Sequence, residues 1–173
     1  QTASVARVGE AWAKPVEVTR DYVGKIAAAG LPAEAMCLAA LGPKMLELAR
    51  DKCTGAHPYF SSPDHTAMAR KILGPKPWLC VEQKVLLERD PAKARQLARL
   101  TAGIYLGLEN YRNNWKRIGF ADSDFENGGR DRFIDATEPY QHRPERMRKA
   151  LQTGVGQYDN ESDLAIDVES EFA

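Results

Sequence analysis

Residues 55–73, GAHPYFSSPDHTAMARKIL, carry the side chains in this sequence that are best suited to chemistry. An apolar run ends at Ser61. Ser62 and Pro63 then have the pattern of a helix start, with a hydroxyl at the N-cap and proline in the first turn. Because the first amides of a helix lack intrahelical partners and carry partial positive charge, they suit a phosphate. Ser61, Ser62 and His65 are therefore candidate anion ligands. The alternative is an ordinary helix cap.

A second candidate follows an apolar stretch at residues 35–41, AMCLAAL, where Gly42 and Pro43 turn the chain. A glycine at the end of a strand lets the backbone approach a flat ring closely. The alternative is a tight turn with no other role. Lys44 comes next, at the start of a helix, where it either neutralises phosphate or lies in solvent.

The elements that would position these residues alternate between apolar strands and amphipathic helices. Strands are predicted at residues 35–41, 55–60 and 78–88, and the first, with no polar alternation, is expected to be covered on both faces. Helices are predicted at residues 15–30, 44–53, 63–73, from 91 to a break near 107, at 110–117, in a piece after a short turn within 123–140, and at 143–154. This alternation predicts an α/β fold with parallel strands.

Composition limits the classes of function. The chain has 173 residues, 43% of them hydrophobic and 28% charged, and its formal net charge is zero. Zero charge argues against binding to nucleic acid or to an anionic membrane. The apolar runs are too short to span a bilayer, and no signal peptide opens the sequence. The three cysteines, Cys37, Cys53 and Cys80, lack metal-site spacing, and we expect them to be buried, reduced and cytoplasmic.

The segment NYRNNWKR, residues 110–117, mixes basic and aromatic side chains, as a nucleic-acid-binding surface does. Tyr111 and Trp115, however, are four residues apart and share one side of a helix. The pattern, together with the zero net charge, favours an amphipathic helix with an aromatic stripe in the core.

The stretch from residue 38 to 99, LAALGPKMLELARDKCTGAHPYFSSPDHTAMARKILGPKPWLCVEQKVLLERDPAKARQLAR, resembles a known family. The likeness continues through YLGLENYRNNWKRIGF and GGRDRFIDA, and it covers residues 15–154. It is to the luciferase-like monooxygenase superfamily, and within it to the oxidoreductases that depend on the deazaflavin coenzyme F420.

The resemblance implies a (β/α)₈ barrel, of which this chain is the C-terminal half, with the cofactor at the C-terminal face of the strands. It places Gly42 and Pro43 near the deazaflavin ring and Ser61, Ser62 and His65 near the cofactor phosphate. The implied activity is hydride transfer between F420 and a small organic substrate. A runner-up uses FMN and oxygen as a monooxygenase. No catalytic acid or base is identified, and no metal is expected.

The domain organisation expected from the resemblance has three parts: an N-terminal extension at 1–14, the half-barrel at 15–154 and an acidic tail at 155–173. Since the first units of the barrel have no counterpart in the sequence, a third reading is a non-catalytic half-barrel. Exposed parallel edges favour association, so we expect a homodimer.

Overall fold

The structure, a computed structural model, describes residues 14–82, 84, 86, 88 and 90–137. The predicted N-terminal extension, except Lys14, the predicted last helix and the acidic tail lie outside the described residues. In chain order the described elements are α1 (Pro15–Ala28), a 3₁₀ turn (Ala33–Ala35), β1 (Cys37–Leu38), α2 (Pro43–Lys52), β2 (Gly55–Ala56), α3 (Pro63–Leu73), β3 (Trp78–Leu79), α4 (Pro91–Leu106), α5 (Glu109–Arg117), a 3₁₀ segment (Asp122–Gly128) and α6 (Asp131–Thr137).

The strands form a parallel sheet in the order β1-β2-β3, and the helices α2 and α3 connect them. The predicted α/β fold with parallel strands is confirmed. Each ladder is much shorter than the predicted strand. Part of the reason is Pro58, whose carbonyl accepts a hydrogen bond from the Glu82 N–H beyond β3 but which has no N–H to donate back to that strand.

One face of the sheet is covered by helices. Leu38, Ala56 and Leu79 occupy one register row and pack into an aliphatic cluster with α2 and α3. The buried members of this cluster are Ala40, Leu46, Ala49, Ala56, Ala69, Leu73 and Leu79. Because backbone hydrogen bonds hold the strands together, side chains as small as alanine are enough to pack the helices closely against the sheet.

The opposite face is open within the described residues. Cys37 and Trp78 share the other register row, and Trp78 is 64% exposed. The prediction that the first strand is covered on both faces is therefore wrong, because alternate side chains of an apolar run point to opposite faces. The cysteines are not buried either. All three are free thiols, with Cys37 and Cys80 exposed and Cys53 half-buried.

Helix boundaries follow local signals closely. The α3 helix spans Pro63–Leu73 as predicted, and Gly74 ends it with φ of 78°. The α1 helix ends at Ala28, and Gly30 follows with φ of 101°. On α1 only Val23 is buried, whereas Tyr22 is 63% exposed.

The second half of the described chain is built from helices around aromatic rings. The α4 helix buries Ala94, Ala98 and Ala102 and ends at Gly107, where the break was predicted. Trp115 of α5 is fully buried and meets Phe133 edge-on, with ring centroids 4.9 Å apart. The interpretation of residues 110–117 as an amphipathic helix is thus confirmed.

None of the helices in the described part of the chain is both long enough and apolar enough to cross a membrane.

Candidate functional site

A cavity of about 550 Å³ opens where β1 and β2 end. Its floor is residues 39–45, the turn after β1 together with the first residues of α2. His57 and Tyr59, which follow β2, form one side, and α5 forms another. In α/β folds the carboxyl ends of parallel strands are where loops gather and ligands bind.

The α5 helix turns its polar face to the cavity. Asn110, Asn113 and Arg117 line it and recur at positions i, i+3 and i+7 of the helix. Trp115 lies on the other side and is buried in the aromatic core. The aromatic stripe alone was recognised in the sequence. The i, i+3, i+7 spacing of Asn110, Asn113 and Arg117 in the sequence could have predicted this second, polar face of the helix.

The cavity lining is basic. Lys44 and Arg117 are on it, and among the described residues that line it none is a carboxylate. Neither base forms an ion pair in the part of the chain that the structure describes. A Cβ added at Gly42 would lie 3.7 Å from Nη1 of Arg117, so the guanidinium lies close over this turn. An arrangement of unpaired bases around a cavity suits an anionic ligand.

Ser62 is the N-cap of α3. Its Oγ accepts a hydrogen bond from the backbone N–H of His65 at 3.2 Å, and its carbonyl accepts one from the Thr66 hydroxyl at 3.1 Å. The predicted cap is confirmed. Ser62 is 2% exposed and Ser61 is 1% exposed, and the Ser61 hydroxyl has no partner among the described atoms.

His65 joins the start of α3 to the cavity floor. Its Nε2 lies 2.8 Å from the Leu41 carbonyl, and since a carbonyl only accepts, Nε2 carries the proton. The ring is fully buried, and Nδ1 has no partner among the described atoms. Burial lowers the pKa of His65, and the nearby charge of Arg117 lowers it further. The imidazole is therefore neutral and holds the Leu41 turn in place.

The predicted site residues thus fall into two groups. Gly42 and Pro43 line the cavity. Ser61, Ser62 and His65 are buried, and His65 contacts the floor through Leu41. The structure brings the two turns together, as expected for loops at one edge of a parallel sheet.

Three side chains that the sequence did not single out meet beside the cavity. Nζ of Lys84 donates to the Tyr59 hydroxyl at 3.0 Å, and the Tyr105 hydroxyl donates to the same oxygen at 2.8 Å. The hydrogen bond from Lys84 is the main cause of a lowered pKa at Tyr59. Burial is the main cause that raises the pKa of Tyr105 to about 12. The two phenols are thus shifted in opposite directions.

Fold and site together define an α/β protein with a basic, partly aromatic cavity at the carboxyl edge of a parallel sheet. No family model, curated protein or solved structure matches the chain. The likeness to the luciferase-like superfamily therefore stays a prediction from the residues themselves.

Proposed function

We propose that this protein is an F420-dependent oxidoreductase of the luciferase-like superfamily. Its three β-α units would be consecutive slices of a (β/α)₈ barrel, and it would move a hydride between the deazaflavin and a small organic substrate. The observation that carries the proposal is the cavity at the strand ends, with Lys44 and Arg117 on its wall and no acid among its described lining residues.

The residues present fit such a cofactor. F420 has a flat ring and a phosphorylated, carboxylate-bearing tail. The cavity volume of about 550 Å³ is in the range of ~300–1,000 Å³ typical of ligand sites. Gly42 removes side-chain bulk from the floor, and Lys44 and Arg117 supply the cationic groups that a phosphate requires. When bound, the deazaflavin supplies the hydride chemistry.

The chain itself would bind, orient and shield. Arg117 and Lys44 would hold the phosphate, and Asn110 and Asn113 would offer amide groups to the polar tail or the substrate. Gly42 and Pro43 would form the surface beside the ring. Ser62 and His65 would fix the turns that carry these groups, through the cap of α3 and the bond to the Leu41 carbonyl, and Ser61 would be buried next to them. We also place the protein in the cytoplasm, which keeps thiols such as Cys37 reduced.

Quenching of cofactor fluorescence, measured as purified protein is titrated with F420 or with FMN, tests the proposal. We expect saturable quenching by F420. In Arg117→Met the dissociation constant should rise about tenfold or more, since a charge-assisted hydrogen bond is lost. Lys71→Met, an exposed base on α3 that is not part of the cavity lining, is the matched control and should bind as the wild type does.

The same titration separates the alternatives. Quenching by FMN alone would replace the proposal with an oxygen-using monooxygenase, because deazaflavin reacts poorly with oxygen and flavin reacts readily. Binding of F420 that is insensitive to Arg117→Met would show that the ligand lies elsewhere and would remove the argument from the cavity.

A second candidate, a non-catalytic half-barrel that forms a homodimer, is favoured by the open face of the sheet. Cys37, Trp78 and Cys80 are exposed there, and exposed apolar surface next to a short parallel sheet favours association. Light scattering gives the mass in solution. A dimer that binds neither cofactor would favour this candidate over the enzyme.

A further inference from the structure

The hydroxyl of Tyr59 has an unusual set of partners. It lies beside the cavity, on the segment that follows β2, and it receives hydrogen bonds from two donors, Lys84 and Tyr105. Those donors come from different parts of the chain, 25 and 46 residues away. Three separate segments therefore converge on one phenol oxygen at the edge of the cavity.

Both hydrogen bonds at the Tyr59 hydroxyl are accepted by its oxygen, so neither of them uses its own proton. A phenol oxygen has two acceptor positions and one O–H donor. At Tyr59 the donors Lys84 and Tyr105 occupy both acceptor positions, and its own O–H has no acceptor among the described residues. Because Tyr59 is partly exposed and lines the cavity, this proton is open to solvent or to a ligand bound there.

The surrounding charges make Tyr59 lose its proton more readily than Tyr105 or Tyr111. Nζ of Lys84 also lies 5.0 Å from the Tyr59 ring centroid, and Glu82 lies 3.5 Å from Lys84. Glu82 opposes the ionisation of Tyr59, but the hydrogen bond from Lys84 outweighs it, so the pKa of Tyr59 stays below the ordinary value of 10.0. Tyr111, which faces Tyr59 from α5, has a raised pKa, chiefly from burial. As pH rises, Tyr59 should therefore lose its proton before Tyr105 and Tyr111 do.

We propose that Tyr59 is the proton-transfer residue of this cavity, that Lys84 and Tyr105 position it, and that the substrate is a carbonyl compound or the corresponding alcohol. The choice of substrate class follows from the group: a phenol that keeps one free proton beside a cavity suits an oxygen that becomes negative during reaction. This inference rests on the proposed function, because it needs a hydride donor in the same cavity.

The reaction balances in both directions. In reduction, the carbonyl carbon gains a hydride, the C=O π pair moves to oxygen, and that oxygen takes the proton from Tyr59. The hydride comes from reduced deazaflavin, whose oxidation also releases one proton to solvent. The phenolate left behind is stabilised by the Lys84 ammonium and the Tyr105 hydroxyl, and it regains a proton from solvent. In oxidation, the Tyr59 phenolate takes the proton from the alcohol while the carbon gives up its hydride.

The first test is an ultraviolet titration of the full chain without any cofactor, which follows tyrosinate absorbance across its six tyrosines. We expect one early phase, below the range of the others, that disappears in Tyr59→Phe. Lys84→Met should move that phase to higher pH, and Lys84→Arg should restore most of the shift. Tyr22→Phe, which removes an exposed tyrosine on α1, is the control and should keep the early phase.

The second test uses the protein loaded with reduced F420, with cyclohexanone as the probe substrate. Tyr59→Phe should still bind the cofactor, as shown by saturable quenching, but reduce cyclohexanone about 10²–10⁴ times more slowly, the usual loss for a missing general acid. Reduction by the wild type should fall as pH rises through the pKa of Tyr59, because the donor is then lost. Oxidation of cyclohexanol should rise over the same range.

The outcomes keep the two proposals apart. If the wild type does not quench F420, the proposed function fails, while an early phase that vanishes in Tyr59→Phe still supports the acidic phenol. If Tyr59→Phe keeps the early phase, or reduces cyclohexanone at the wild-type rate, the inference about Tyr59 is overturned even though the cofactor binds. A Lys84→Met variant whose early phase does not move would remove Lys84 from its positioning role.

Discussion

The two halves of the described chain are held together in different ways. Around the sheet, α2 and α3 pack against the strands through an aliphatic cluster rich in alanine, and backbone hydrogen bonds already join those strands. Around α4, α5 and α6 the described residues form no sheet, and the core is a set of aromatic rings packed against one another. The aromatic core members and their packed neighbours include Phe60, Tyr105, Tyr111, Trp115, Phe120, Phe125 and Phe133.

Among the described residues, the ion pairs that join two helices lie in the helical half. Arg95 holds Asp135 through two parallel bonds of 2.9 and 3.0 Å, joining α4 to α6, and Arg99 pairs with Asp131 across the same two helices. Where backbone hydrogen bonds fix the geometry, small side chains suffice. Where they do not, large rings and paired charges must set how helices cross. The cavity lies where the two halves meet, with its floor from one and the polar face of α5 from the other.

Trp115→Ala should have the largest effect. The side chain is fully buried between Phe60, Phe120 and Phe133, so its removal should lower the free energy of unfolding by about 3–5 kcal/mol. Chemical denaturation measures it. Trp78→Ala, on the open face of the sheet, is the matched control and should change stability by about 0.5 kcal/mol or less. Equal losses would contradict the division between core and open face.

Leu46→Ala is the corresponding large-to-small core substitution in the aliphatic half. Leu46 is fully buried in the cluster beneath the sheet, and we expect a loss of about 2–5 kcal/mol in the free energy of unfolding. Leu100→Ala on α4, where the side chain is 72% exposed, should cost little. A loss at Leu46 greater than that at Trp115 would show that the sheet half, and not the aromatic half, limits stability.

Arg95→Met tests how much the ion pair between α4 and α6 contributes to the free energy of unfolding. Its partner Asp135 is 8% exposed, and loss of the two-bond pair should cost about 1.5–3 kcal/mol. Lys25→Met removes an exposed pair with Asp21 on α1, at 2.7 Å, and should cost less than about 1 kcal/mol. The difference between the two variants, measured by urea unfolding, should shrink if Arg95 merely lies on the surface.

Ser62→Ala separates a cap from a ligand in the sheet half. Ser62 accepts the backbone N–H of His65, so its loss should cost about 1 kcal/mol. Ser61→Ala is the matched control: it removes a hydroxyl that is equally buried but has no partner among the described atoms, and it should be nearly neutral. A large loss of F420 affinity in either variant, with stability unchanged, would restore the serines as direct phosphate ligands.

The smallest expected effect depends on pH and concerns His65. Its folded pKa is lowered by burial below the ordinary 6.5, so the unfolded chain takes up a proton first as pH falls. The stability that the neutral ring contributes is present above pH 6.5 and is lost as pH drops toward the folded pKa. Unfolding measured at about pH 7.5 and 5.5 should show this slope weakened in His65→Gln relative to the wild type.

Signals within a few residues of one another were sufficient for much of this fold. Ser62 and Pro63 marked the start of α3, because capping depends on adjacent residues. The alternation of apolar strands and amphipathic helices along the chain likewise predicted a parallel sheet. The prediction of buried cysteines failed because a strand pattern does not say which face another element covers.

The candidate site shows the same limit more sharply. Gly42 and Pro43 were found from the sequence, since a turn after a strand is a local feature. The meeting of Lys84 and Tyr105 at Tyr59 was not, because the three are far apart in sequence.

The sequence by itself determined the alternation of strands and helices, the Ser62 cap and the parallel direction of the strands, since these depend on the preferences of residues near one another in the chain. Only the tertiary structure decided which face of α5 lines the cavity and which phenol lies next to Lys84. Those outcomes depend on how helices pack in space, where hydrogen bonds and charges act over a few ångströms regardless of distance along the chain.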